Sequence, residues 1–188
     1  FGFGTALTQK KRDVVKSANS TYTLKLVIGT VLTLICFFGA DKFSEFYNMP
    51  VVAPMTKVLS FSFIIGAFGA VQGTMIKKEL QFKKNFLKSF GSLIVYSISA
   101  IVLAHYGFGA WSIVWAHIGS TIAGTLVALL LSDYKPKFEF DFKVAKSLLK
   151  YSKWVALGSF IGFLMGNGDD FLIGKILGAS AYAFYSLG

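Results

Sequence analysis

The chain alternates long apolar runs with short, lysine-rich polar stretches. Thr21 to Ala40, Pro54 to Ile76, Phe86 to Ala104 and Phe108 to Leu131 are apolar runs broken by few charges. Lys25, Lys57 and Lys88 lie near one end of the first three. The fourth carries no charge, and its one ionisable group is His117. About 20 mostly apolar residues suffice to cross a hydrocarbon core of about 30 Å. Core helices of soluble proteins keep a polar face at this length. The pattern therefore predicts four membrane-spanning helices and an all-α polytopic membrane protein built as a helical bundle.

The last third leaves two readings. Tyr151 to Gly166 is apolar apart from Lys153, Asn167-Gly168-Asp169-Asp170 follows, and Phe171 to Leu187 is apolar with Lys175 inside. Two short spans joined by a turn at Asn167 to Asp170 would put Lys175 in the lipid. One long, tilted helix from about Leu148 to Leu177 lets Lys175 snorkel but buries two acids, tolerated where they face a cavity. The long helix is the preferred of the two.

The charges follow the spans. Lys10, Lys11, Arg12 and Lys16 precede the first; Lys77, Lys78, Lys83, Lys84 and Lys88 separate the second and third; Lys135, Lys137, Lys143, Lys146, Lys150 and Lys153 follow the fourth. These stretches hold 15 of the 19 basic residues and alternate along the chain, so they fall on one side of the membrane. The excess of Lys and Arg in short cytoplasmic loops assigns that side to the cytoplasm. The expected arrangement is multi-pass, with the basic loops cytoplasmic. On the other side, Phe43, Phe46 and Tyr47 share helical spacing with Asp41, Lys42 and Glu45, which reads as a short interfacial amphipathic segment. Phe138 to Phe142 alternates strictly and reads as an extended approach to a basic amphipathic helix, Lys143 to Lys153, at the cytoplasmic headgroups.

Composition sharpens this. Of 188 residues, 54% are hydrophobic and 15% charged, with a formal net charge of +10. A soluble domain carries about 25% charged residues, so an ordinary soluble enzyme is not expected, and a disordered tail and a disulfide-stapled domain are excluded. The net charge alone suggests nucleic acid. Its confinement to loops beside apolar spans accounts for it by topology instead, and no nucleic-acid partner is expected. Cys36 is the single cysteine and has no partner for an internal bridge. Phe1-Gly2-Phe3-Gly4 reads as the tail of something upstream, and the chain stops inside an apolar run at Tyr185 to Gly188, so a fragment cut at both ends is expected.

No catalytic constellation emerges. His105 and His117 have no Cys, Asp or Glu in metal-ligand spacing, and neither a P-loop nor a G-x-S-x-G motif is present. No enzyme activity, cofactor or metal is expected. Gly158, Gly162 and Gly166 recur every fourth residue and Gly174 and Gly178 resume the step, a spacing that lets helix backbones approach. They read as a packing seam followed by a solvated acidic turn, or as a loosened helix whose acid faces a cavity. Gly66, Gly69 and Gly73 read as contacts with a neighbouring helix. Lys25 and Lys57 either snorkel to headgroups or face a cavity and meet an anionic substrate.

Several short stretches, in this order and spacing, resemble the polysaccharide-transporter branch of the multidrug/oligosaccharidyl-lipid/polysaccharide flippase superfamily. They are Phe1 to Lys10, Ser20-Thr21, Phe46-Tyr47-Asn48-Met49-Pro50 with Ala53-Pro54, Lys78-Glu79-Leu80-Gln81-Phe82, and Asp169 to Gly178. The resemblance implies a dozen or more helices in two pseudo-symmetric halves about a central cavity. Residues 1–131 would hold the end of one transmembrane helix and four helices of the N-terminal half. Residues 132–150 would form a cytoplasmic basic linker or interfacial segment, and 151–188 the first helices of a truncated C-terminal half. It also implies export of an undecaprenyl-pyrophosphate-linked oligosaccharide for surface polysaccharide. The partners would be the lipid bilayer, that lipid-linked oligosaccharide and other polysaccharide-assembly proteins. Lys25 or Lys57 would offset phosphate charge, and Asp169 or Asp170 would contact sugar hydroxyls or a coupling cation. The family's recurring Asp corresponds to Asp169, whereas the glycine stripe favours Asp170. Alternatives are a cation-coupled multidrug antiporter of the same superfamily and a membrane-embedded glycan ligase or polymerase, which should carry a large outer loop.

Overall fold

Apolar runs that cannot leave backbone N–H and C=O groups unpaired in lipid must fold as helices or closed barrels, and here they fold as helices. The computed structural model describes positions 4, 7–8, 14–137 and 140–176, with backbone alone at 143, 148, 151 and 168–176. Its long helices are α1 (Val14–Tyr47), α2 (Val52–Lys78), α3 (Phe82–His105), α4 (Trp111–Leu131) and α5 (Phe142–Ile176). No strand occurs among the described residues. Helices α1 to α4 are each long and apolar enough to cross a membrane. The chain is an all-α polytopic membrane protein.

The helices pair as two hairpins. α1 packs along α2, α3 packs along α4, and α2 packs on α4 to join the hairpins. Each tight connection needs a left-handed backbone position: Asn48 (φ 55°), Leu80 (φ 54°), and Gly107 and Gly109 (φ 83° and 54°). Leucine in this region is strained, because its Cβ crowds the following carbonyl. Glycines set how closely the spans approach. A Cβ on Gly29 would lie 2.9 Å from Ala67 Cβ and 3.0 Å from the Phe63 carbonyl oxygen. One turn further on, Thr33 donates to the Ser60 carbonyl across the α1–α2 contact at 3.0 Å.

Contacts gather Leu7 and the start of α1, the α2–α3 turn and the α4–α5 connection at one end. Lys78 donates to the Leu7 carbonyl (2.8 Å), Lys84 pairs with Asp133 (2.8 Å), and Ser20 Oγ accepts the Asp141 N–H (3.1 Å). Asn19 Oδ1 accepts both the Tyr134 hydroxyl and the Lys137 N–H, stitching the α4–α5 connection to the start of α1. The described core sits at this end: Leu7, Ala18, Tyr22, Val71 and Met75, beside a buried polar layer of Ser17, Asn19, Ser20, Thr21 and Gln72. Elsewhere many large apolar side chains face outward. α3 has no buried residue, and Phe38 and Met165 are 73% and 83% exposed. In water such surface is a liability; in a bilayer it is the lipid-facing or partner-facing surface.

Two boundaries differ from the sequence reading. Asp41 to Tyr47 is not a separate interfacial element; it forms the last two turns of α1, which breaks only at Asn48. A helix of 34 residues is about 50 Å long, well beyond a core of about 30 Å, so the amphipathic end projects past the lipid without a break. At the other end α5 begins at Phe142, with the Asp141 carboxylate accepting the Val144 N–H (3.2 Å) as a cap. Its backbone then stays helical through Asp169 and Asp170, as one long helix requires, and no turn forms at Asn167 to Asp170.

Candidate functional site

α2 presents one stripe, Gly66 and Ala70, that forms the wall of two adjoining grooves. On the α1 flank a groove of about 200 Å³ is lined by Lys25 with Ile28, Gly29, Leu32, Phe63 and Ala67. On the α3–α4 flank a groove of about 280 Å³ is lined by Lys88, Ser92, Ser120, Thr121 and Thr125, with Gly69 and Gly124. Each groove thus carries one ammonium.

Glycines make room for the polar side chains. A Cβ on Gly73 would come within 2.6 Å of Lys88 Nζ, so the ammonium rests where α2 has no side chain. A Cβ on Gly69 would lie 3.0 Å from Thr125 Cα, and one on Gly124 would collide with the Ser92 hydroxyl. Thr125 uses this approach to donate to the Ile65 carbonyl at 3.2 Å.

Lys25 is eleven residues past the start of α1, about 16 Å along the axis. The ion pairs among the described residues are Lys57–Asp41 and Lys84–Asp133, and neither Lys25 nor Lys88 has an acidic partner there. Two like charges without counter-ions repel each other, and more strongly as the dielectric falls.

A family model described as polysaccharide biosynthesis protein matches residues 1–188, the whole chain. The chain belongs to this family. Among its relatives is the lipopolysaccharide biosynthesis protein WzxC of Escherichia coli (strain K12), 24% identical over 193 residues, which cover 100% of this chain and 38% of WzxC. The teichuronic acid biosynthesis protein TuaB of Bacillus subtilis (strain 168) is 23% identical, over 99% of this chain and 39% of TuaB. The succinoglycan biosynthesis transport protein ExoT of Rhizobium meliloti (strain 1021) is 22% identical, over 98% of this chain and 37% of ExoT. The chain therefore spans about two-fifths of these relatives. No solved structure matches it.

Within this polysaccharide biosynthesis chain, the residues singled out from sequence separate. Lys57 lies at the end opposite the lysine-rich one. Its Nζ is 2.8 Å from Asp41 Oδ1 and 5.8 Å from the Phe37 ring centroid. Lys25 stands in the α1–α2 groove. Asp169 and Asp170 lie near the end of α5, where the backbone is helical. Gly158, Gly162 and Gly166 have nothing within 4 Å of an added Cβ, so among the described residues no neighbour uses that stripe. Gly174 is helical, and Gly178 lies outside the described residues.

Lys88 was missed as a site residue. It reads as a lysine near the end of the Phe86 to Ala104 run, counted with the basic stretch before it, until α3 is seen to lay it over Gly73. The available signal was the Gly69/Gly73 pair in α2, which requires something to be received there. No group of three or more His, Cys, Asp or Glu able to hold a metal occurs among the described residues.

Proposed function

We propose that this chain is part of a flippase that moves a lipid-linked oligosaccharide across the bacterial cytoplasmic membrane for surface polysaccharide assembly. The observation that carries the reading is the pair of lysines with no acidic partner among the described residues, Lys25 and Lys88, on the two flanks of the Gly66/Ala70 stripe. A diphosphate, with about two negative charges, neutralises both; hydrogen bonds to charged groups contribute about 1.5–3 kcal/mol each. The lipid tail stays in the bilayer while the headgroup is passed along the protein. Family membership and the printed names of the relatives support a polysaccharide cargo.

The lysine-rich end is assigned to the cytoplasm by its excess of basic residues. Residues 1–131 then belong to one half of the transporter and α5 opens the second, with the halves rocking about the headgroup. Lys25 meets a headgroup drawn from the inner leaflet. Lys57, at the outer end, is held in reserve by Asp41 and takes over as the headgroup leaves. Asp169 or Asp170 contacts sugar hydroxyls or a coupling cation.

The test uses the full-length protein in a strain lacking it. Alanine at Lys25, Lys57, Lys88, Asp169 or Asp170 is scored by surface polysaccharide with membrane level as control. Loss at Lys25 and Lys88 is expected. Full restoration by every variant would remove the site assignment.

A further inference from the structure

The hydroxyls of the groove on the α3–α4 flank turn their protons away from it. Four hydroxyls line it, and each spends its proton on a backbone carbonyl. Ser92 donates to the Lys88 carbonyl (2.8 Å), Ser120 and Thr121 both donate to the His117 carbonyl (2.9 and 2.8 Å), and Thr125 donates to the Ile65 carbonyl (3.2 Å). A hydroxyl has one proton and two acceptor positions. These four therefore offer the groove only acceptors, and the one charged donor among its lining residues is the Lys88 ammonium.

An occupant that matches must present an anion or acceptor to Lys88 and several O–H or N–H donors to the hydroxyls. A lipid chain would strand the ammonium, and an inorganic anion would set its oxygens against hydroxyl lone pairs. A sugar joined to a phosphate meets both demands. Ser92 is held in this role by Gly124, whose lack of a side chain admits the hydroxyl.

We propose that the α2–α3–α4 groove is a subsite for the first sugar of the lipid-linked glycan, recognising its free hydroxyl and amide protons through Ser92, Ser120 and Thr121. This rests on the flippase reading and deepens it. The diphosphate binds at the lysines, and the groove decides which glycans are accepted.

The experiment measures binding of two lipids to the purified full-length protein in nanodiscs: a polyprenyl diphosphate with one sugar, and the same diphosphate without it. Wild type should bind the glycosylated lipid more tightly. Ser92→Ala and Thr121→Val, which keep volume close and remove the oxygen, should each weaken the glycosylated lipid by about three- to tenfold, as loss of one hydrogen bond does. Binding of the bare diphosphate should stay within about twofold. Lys88→Met should weaken both. An unchanged preference in Ser92→Ala and Thr121→Val, or an equal loss for both lipids, overturns the sugar subsite while leaving the flippase reading intact. Failure of wild type to bind either lipid overturns that reading, and the subsite with it.

Discussion

Gly29→Ala asks how closely α1 must approach α2. The added methyl would stand 2.9 Å from Ala67 Cβ and 3.0 Å from the Phe63 carbonyl oxygen. Ala67 has no rotamer to change and the carbonyl is backbone, so relief requires the helices to part. Overpacking of this kind costs about 1–3 kcal/mol. Parting the helices also stretches the Thr33–Ser60 hydrogen bond one turn away, worth about 1 kcal/mol. Alanine's better helix propensity returns up to about 1 kcal/mol. The net expectation is a loss of about 1–3 kcal/mol. Gly39→Ala and Gly91→Ala supply the internal control, because an added Cβ at either meets nothing within 4 Å. They keep only the propensity gain and should be neutral or stabilising. The assay is thermal unfolding of the full-length protein in one detergent, read by tryptophan fluorescence, with the three variants ranked. A Gly29→Ala variant as stable as Gly39→Ala would refute the close α1–α2 contact.

Other expectations follow from single contacts. Leu80→Gly relieves a left-handed leucine in the exposed α2–α3 turn and should raise stability by about 1 kcal/mol in the same unfolding assay. Asn19→Ala removes an acceptor shared by Tyr134 and Lys137, costing about 2 kcal/mol locally, so limited proteolysis should cut the 132–137 connection faster. Asp133 is held below the usual carboxylate range by hydrogen bonds from Lys84 and Gln81 and by the Lys84 charge. Its contribution is therefore complete above the ordinary carboxylate pKa and is lost as pH falls through the lowered one. Asp133→Asn should flatten the acid limb of the thermal stability profile slightly and leave neutral pH almost unchanged, because the pair is exposed. Cysteines placed at Gly107 and Asp133 in a Cys36→Ala background should react oppositely with an impermeant thiol reagent in intact cells, Gly107 being labelled.

What could be seen in the sequence follows from what is local. The four spans come from runs of apolar residues, and α1 to α4 match them because run length is the same quantity the bilayer selects. The lysine-rich stretches come together because short hairpins leave them no other end, as the Lys84–Asp133 pair shows. Long-range facts were hidden. The Lys57–Asp41 pair joins residues on two helices across a hairpin, and neither run signals it. Lys88 gains its meaning from Gly73, on a different helix, and Ser92 gains its place from Gly124. The amphipathic spacing of Asp41 to Tyr47 was correct, yet periodicity does not say whether an amphipathic stretch continues the preceding helix or starts a new one. Nor does hydropathy reveal the buried layer of Ser17, Asn19, Ser20 and Thr21, since tertiary packing, including the bonds of Asn19 and Ser20 to the α4–α5 connection, makes those residues interior.

The central claim is that Lys25 and Lys88 together receive the diphosphate of a lipid-linked glycan. Reconstitution of the full-length protein in proteoliposomes with a fluorescent lipid-linked oligosaccharide measures this directly, as the rate at which label becomes accessible on the far leaflet. Lys25→Met with Lys88→Met removes both charges while keeping apolar bulk. Two lost charged contacts, at about 1.5–3 kcal/mol each, should slow flipping by at least about 100-fold, and arginine at both positions should restore much of it. A doubly substituted protein of wild-type thermal stability that flips the lipid at the wild-type rate would contradict the account.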